Sequence, residues 1–186
     1  MVSTKLVTAE DLLAMGSDAP FELLKGELIE VSPSSMESSS ITSHLSSIID
    51  RHVFQFKSGL VTSAEGGYVL QRDPDTVVAP DIGFILRSRI SAGFNRQKFM
   101  PVPPDLAVEV LSPSNTPAEM YRKLGLYSAA GVPLVWVVYP VQRVVTVHKL
   151  GEPSVTLGEN DTLNGHDILP GLTIAVSQVF ESSLDD

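Results

Sequence analysis

Two acids stand out in the sequence because each interrupts an apolar, strand-like run and neither has a basic neighbour to neutralise it. They are Asp81 in VVAPDIGFIL and Glu109 in PPDLAVEVLSPSN. In the second run Leu106, Val108 and Val110 fall on one side of a strand, with Ala107 and Leu111 on the other. A carboxylate in such surroundings loses its water, and an isolated ionised one costs several kcal/mol even after relaxation. A cation facing Glu109 would offset that cost. If the two strands pair, as consecutive strands usually do, both carboxylates meet on one face of a sheet. Two hard oxygen ligands there suit Mg²⁺ or Mn²⁺, with waters and a substrate phosphate completing the octahedron. Such an ion offsets charge on phosphoryl oxygens and acidifies water. Lys123 is the third candidate, on a helix that follows the Glu109 strand, sharing a face with Glu119, Leu126 and Ala130. An ammonium beside the ion positions the attacking water or offsets developing charge. The plainer reading of Lys123 is an i,i+4 surface pair with Glu119.

Positioning these groups needs a sheet with a helix on either side. Residues 8–15 read as a short helix capped at Thr8 and ended by residues 16–20. FELLKGELIEV, residues 21–31, alternates around Lys25-Gly26 and predicts a hairpin. Over residues 40–57, Ile41, Leu45, Ile48, Ile49, His52 and Phe56 recur at helical spacing, and Ser58-Gly59 closes the segment. Three strand-like stretches follow, residues 61–70, 77–86 and 106–111, with turn signals at Asp73-Pro74 and across residues 91–104. Thr116 then opens a helix with Pro117 at its first position and Glu119 completing a capping box, and Gly131 and Pro133 end it. LVWVVYP is an unbroken apolar run suited to a strand covered on both faces. VVTVHKL, SVTL and LTIAV are expected to complete the sheet. The order predicts an α/β fold, a central mixed β-sheet flanked by helices, in one domain over residues 1–186.

A chain of 186 residues buries roughly 70% of its unfolded surface, so it needs no disulfide or metal to fold. Cysteine is absent, which excludes thiol chemistry and fits a reducing cytoplasm. Leu6 and Val7 give way to Glu10 and Asp11 after residues 1–5, too soon for a secretory leader. The longest apolar run, residues 134–139, is far shorter than a membrane span. A soluble, cytoplasmic protein is expected. The net charge of −9 argues against nucleic acid at first, but residues 151–186 hold seven acids and no Lys or Arg. That leaves 15 acids against 13 basic residues in the body. Between Asp81 and Asp105 there is no acid, while Arg87, Arg89, Arg96 and Lys98 fall there, as a solvated loop or a phosphate-contacting one.

Other residues have simpler readings. His44 sits in a Ser-rich stretch, residues 32–47, where a helix-surface histidine suffices. Trp136 and Tyr139 read as packing. Ser112-Pro113-Ser114 reads as a turn, with no histidine placed to activate a serine.

APDIGFILRSRI and PPDLAVEVLSPSNTPAEMYRKLGLYSAAGVPLVWVVYP, with FELLKGELIEVSP, LGENDTL and DILPGL, resemble the Uma-type family of restriction-endonuclease-like proteins over nearly the whole chain. That family belongs to the nuclease superfamily named for PD-(D/E)XK. The resemblance implies a restriction-endonuclease-like core with an extra N-terminal hairpin and C-terminal strands. It implies that Asp81 and Glu109 bind the metal. The superfamily lysine stands two residues after the Glu, where this chain has Leu111. In Uma-type proteins the lysine has moved to the following helix, which points to Lys123. A carboxylate from the first part of the chain is also implied, and Glu27 is its match.

The expected function is a Mg²⁺- or Mn²⁺-dependent endonuclease hydrolysing DNA phosphodiester bonds. Asp81, Glu109, Lys123 and Glu27 would form its site, Arg87, Arg89, Arg96 and Lys98 would lie along the backbone, and a homodimer would suit duplex cleavage. The rival is a catalytically silent interaction module that keeps the fold, favoured by the overall acidity and by Leu111. Hydrolysis of another phosphate ester at the same site is a third reading. The discriminating observation is whether the Lys123 ammonium reaches both carboxylates or pairs only with Glu119.

Overall fold

The computed structural model describes residues 6–16, 19–63 and 66–182; residues 1–5, read above for a leader, and Asp185 and Asp186 of the acidic tail lie outside them. In chain order the elements are α1 (Ala9–Ala14), β1 (Phe21–Leu24), β2 (Glu27–Glu30), α2 (Met36–Phe56), β3 (Gly59–Ser63), β4 (Tyr68–Gln71), β5 (Thr76–Val78) and β6 (Ile82–Leu86). There follow β7 (Leu106–Val110), α3 (Pro117–Ala129), β8 (Leu134–Tyr139), β9 (Val144–Lys149), β10 (Val155–Leu157), β11 (Thr162–Asn164), β12 (Thr173–Ala175) and α4 (Val176–Val179).

A six-stranded sheet in the order β10-β9-β8-β7-β6-β3 forms the centre. Its β7 and β8 run parallel because α3 crosses between them, and the other pairs are antiparallel. One face packs on α2, where Ile41, Leu45, Ile49 and Val53 meet Phe84, Val108, Val110 and Trp136. The opposite face packs on α3, where Met120 and Tyr127 meet Ala107, Val135 and Val137. This is the expected arrangement of a helix against each face. Alternation along β7 then fixes the destination of Glu109: it shares the α3 side with Ala107.

The hairpin forms as expected, turning at Lys25 and Gly26, whose φ of 49° and 81° favour glycine at the second position. It joins a four-stranded sheet, β2-β1-β5-β4, beside the central one. Asp75 fastens α1 to this sheet. Its Oδ2 accepts the Ala9 amide and Arg72 Nη1, each at 2.8 Å, and Arg72 also reaches Glu10. Burial opposes ionisation of Asp75, but the Ala9 amide and the Arg72 guanidinium outweigh it and hold the carboxyl below its usual range. A depressed carboxylate contributes stability that is complete above its unfolded value, about 3.9, and is lost as pH falls through the folded one. Asp75→Ala is therefore expected to cost about 2 kcal/mol at pH 7, measured by denaturant unfolding. The deficit should shrink as the pH is taken below about 4. A deficit that is the same at both pH values would show that charge is not what Asp75 contributes.

Three expectations need correction. The long helix begins at Met36 rather than near residue 40, because Ser35 caps it and Ser38 Oγ donates to the Leu111 carbonyl at 2.8 Å. Ser38 thereby ties the start of the helix to the end of β7. The stretches 61–70 and 77–86 are not continuous strands but split into β3 and β4 and into β5 and β6. In the second, Pro80 has no amide to donate, so the ladder stops and the chain passes from one sheet to the other. LTIAV does not extend the central sheet: β12 pairs with β11 in a separate two-stranded sheet, whose Leu163 and Ile174 pack into the α2-side core. Among the described residues no helix is long and apolar enough to cross a membrane.

Candidate active site

The break at residues 79–81 places Asp81 just before β6, and the antiparallel register of β6 on β7 (Ile82 opposite Val108) brings it to the C-terminal end of β7. There its Oδ2 accepts the Val110 amide at 2.7 Å. Glu109 lies one residue earlier and is only 5% exposed. It is held by α3: Lys123 Nζ donates to both of its oxygens at 3.1 Å, and Tyr127 Oη donates to Oε1 at 2.5 Å. Lys123 and Tyr127 are four residues apart and share one helix face. The ammonium also meets Glu22 Oε1 at 3.1 Å, and that oxygen accepts the Ala79 amide at 3.1 Å. Two carboxylates, Glu109 and Glu22, thus hold one ammonium, with Asp81 near enough to feel its charge, at the wall of a cavity of about 900 Å³.

The electrostatics follow from burial. Loss of water pushes the Glu109 carboxyl up to about 7 although Lys123 and Tyr127 pull it down, and the Asp81 charge adds to the rise. Asp81 is raised too, chiefly by burial, against the opposing Val110 hydrogen bond. Burial lowers Lys123, but Glu109 and Glu22 more than reverse this, so the ammonium stays protonated. Burial and the Glu109 charge raise Tyr127, so it remains a donor. One cation among three acids leaves an excess of negative charge where Glu109 and Asp81 are cut off from water.

A family model described as "Uma2: Putative restriction endonuclease" matches residues 9–177. The chain belongs to the Uma2 family. A solved structure supports the architecture: a "putative nuclease belonging to DUF820" from Anabaena variabilis ATCC 29413 superposes with a TM-score of 0.80, covering 94% of this chain and 97% of that one. At 18% identity this likeness shows the fold. No curated protein matches the chain.

In this Uma2 chain the sequence candidates separate into those that converge and those that do not. Asp81, Glu109 and Lys123 converge. Lys123 does not pair with Glu119, whose carboxylate is taken by the Thr116 amide at the helix cap. The second carboxylate on the ammonium is Glu22, not Asp81, which only feels its charge. Glu27 is not in the site. It is exposed at the turn end of the hairpin, opposite Leu24 and one register step of about 7 Å from the Glu22 level. Glu22 takes the place that Glu27 was expected to fill. Nothing in FELLKGE separates the two, because both lie on the same hairpin face and only the docking of β1 on β5 selects Glu22. Tyr127 was also missed, although its spacing from Lys123 was a usable signal.

The basic segment divides. Arg87 is exposed at the far end of β6, about 20 Å of extended chain from Asp81. Arg89 is bound to the buried Asp105 at 2.8 Å. Neither is placed beside the carboxylates. Arg96 and Lys98 lie where the chain returns toward the site, next to Phe99, which lines the cavity. His44 is on α2, across the sheet from the carboxylates, and does not line the cavity. Trp136 is core, and Ser112 bonds Ser114 within the turn.

The donor set fits a hard divalent cation. Asp81 keeps one oxygen on Val110 and Glu22 keeps one on Ala79, and their other oxygens have no protein donor among the described residues. Among the described residues no three acids, histidines or cysteines converge as a complete cage. Any divalent ion held here would rest on one or two of these carboxylate oxygens, with waters and substrate oxygens as its remaining ligands.

Proposed function

We propose that this protein is a divalent-metal-dependent nuclease hydrolysing phosphodiester bonds of DNA. The observation that carries the reading is the bidentate Lys123 ammonium on Glu109, beside Asp81, in an open cavity. Asp81, through its free oxygen, and Glu109, on giving up a Lys123 hydrogen bond, would hold Mg²⁺ or Mn²⁺, and the ion would supply charge compensation on the phosphoryl group and acidification of water. Glu22 and Tyr127 act on the chain's own groups: Glu22 orients the ammonium, and Tyr127 fixes the rotamer of Glu109. Lys123 is then positioned to donate a hydrogen bond to the attacking water or to a non-bridging phosphoryl oxygen. On a duplex, a two-fold dimer would present one site to each strand.

Two observations favour a silent nuclease fold instead: both Glu109 oxygens are occupied by Lys123, and Leu111 stands at the superfamily's lysine position. The same measurements decide between them. Wild-type protein with Mg²⁺ or Mn²⁺ should degrade one or more of a set of duplex and single-stranded DNAs, and Lys123→Ala should not. In calorimetry, Asp81→Ala and Glu109→Ala should each weaken Mn²⁺ binding. Equal affinity in wild type and both variants removes the metal site and leaves the silent fold.

A further inference from the structure

A second hollow of about 270 Å³ opens beside the first, and the two share Leu13, Gly67 and Phe99. Its outer wall is formed by Phe94, Arg96, Gln97, Lys98 and Phe99, in which two half-buried aromatic rings bracket two cations, Phe94 packing inward on the cluster around Met100 and Phe99 on the one around Leu23, so that only their outer edges are open. The turn is built so that the cations face out: Asn95 accepts the Gln97 amide on its side chain and the Lys98 amide on its carbonyl, both at 3.0 Å. Met100 then pins the segment to β4 through bonds of 2.9 Å with Gly67 and Val69. Arg96 and Lys98 are exposed, and among the described residues neither has a carboxylate partner, unlike Arg89. A β-carbon at Gly67 would stand 2.4 Å from Phe99 Cδ1, so the glycine is what allows the ring to sit at the seam of the two hollows.

The charge pattern selects the occupant. The large cavity is walled by five carboxylates against Arg122 and Lys123, and its reactive acids are recessed, Glu109 being 5% exposed. A duplex brings one negative charge per ~1.7 Å of axis and needs a broad basic rim, which these walls lack. A flexible strand can admit one phosphate to the acids and lay its neighbours elsewhere. Aromatic rings flanking cations along a groove are what an unpaired strand uses, bases stacking on the open parts of the rings and phosphates meeting the cations.

We infer that residues 94–99 form a subsite for unpaired nucleic acid, so that the scissile bond is presented from a single strand. This rests on the nuclease reading of the adjoining site. Bases flanking the reacting nucleotide stack on Phe94 and Phe99, and their phosphates pair with Arg96 and Lys98.

The test is fluorescence anisotropy with labelled oligo(dT) of about 12 nucleotides and with a duplex of equal length. Ca²⁺ replaces Mg²⁺, and oligonucleotide integrity is checked on a gel. Oligo(U) in a third arm separates DNA from RNA. The single strand should bind at least about 10-fold tighter than the duplex, and Phe94→Leu should weaken it about 5- to 100-fold. Arg96→Gln with Lys98→Gln, two exposed positions that leave the fold intact, should reduce the salt slope by about 1.4, or ~0.7 for each phosphate no longer neutralised. Duplex binding as tight as single-strand binding, or an unchanged salt slope in the double variant, overturns the inference. A protein that binds the strand through these residues yet cuts nothing in Mg²⁺ or Mn²⁺ keeps the subsite and overturns the nuclease. Equal cutting of duplex and single strand, with Phe94→Leu and the double variant binding normally, does the reverse.

Discussion

Lys123→Met is expected to abolish turnover and to destabilise the protein by about 3–5 kcal/mol at neutral pH, the cost of removing one partner from a buried ion pair. The ammonium is largely enclosed, its side chain 20% exposed, and it holds two carboxylates that are 6% and 13% exposed. Without it Glu109 keeps only Tyr127. Glu109 already sits at about 7 with the lysine present, so without it the carboxyl rises further. The sign follows from linkage: a carboxyl whose folded value lies above its unfolded one gives stability that is full below the unfolded value and lost as pH rises through the folded one. The deficit of Lys123→Met should therefore grow from pH 6 to pH 9. Adding Glu109→Gln removes the buried charge while keeping an oxygen for Tyr127, so the double variant should recover most of the stability and none of the activity. Unfolding by denaturant at the two pH values measures this cycle. Additive single and double effects would mean that the two groups do not act as a pair, because contacting residues normally couple by about 0.5–3 kcal/mol.

Most of what positions this pair was legible because local signals agreed. Thr116, Pro117 and Glu119 fixed the start of α3, and the apolar run at residues 134–139 marked a strand covered on both sides. The alternation of residues 106–111 already turned Glu109 away from Leu106, Val108 and Val110, and so toward the face that α3 covers. What could not be read is the docking of the N-terminal hairpin. Glu22 and Glu27 differ by no local propensity, and the choice is made by β5, whose Val77 pairs with Leu23 some fifty residues later in the chain. The split of the two long strand stretches was hidden for a related reason. Apolar residues run up to Ala79-Pro80 and resume after Asp81, and only the missing proline amide marks the change of sheet. The basic segment was seen as charge alone; its division into a structural Arg89 and an outward Arg96 and Lys98 depends on Asp105, which reaches back across β6 to the Leu86 amide and Arg89.

Asp81→Asn should have the opposite thermodynamic sign from Lys123→Met while being equally damaging to function. Asparagine keeps a carbonyl oxygen for the Val110 amide and so preserves the bond that seats residue 81 at the end of β7. It discards a carboxylate whose ionisation is opposed first by burial and then by the Glu22 charge. Because the folded value is raised, ionised Asp81 costs stability at neutral pH and protonated Asp81 does not. The variant should be at least as stable as wild type at pH 7, with any gain vanishing by about pH 4. Activity should fall by about 10³-fold or more, since loss of a metal-stabilised charge removes roughly 4 kcal/mol from the transition state. Melting temperatures at the two pH values, set beside Mn²⁺ titration and the nuclease assay, test both halves. A stability gain bought with lost activity is what a functional carboxylate predicts, since active sites hold charge where a folded protein would rather have none. A variant that loses stability at pH 7 while keeping its metal affinity would instead make Asp81 a structural cap on β7, and the catalytic assignment would pass to Glu22 and Glu109.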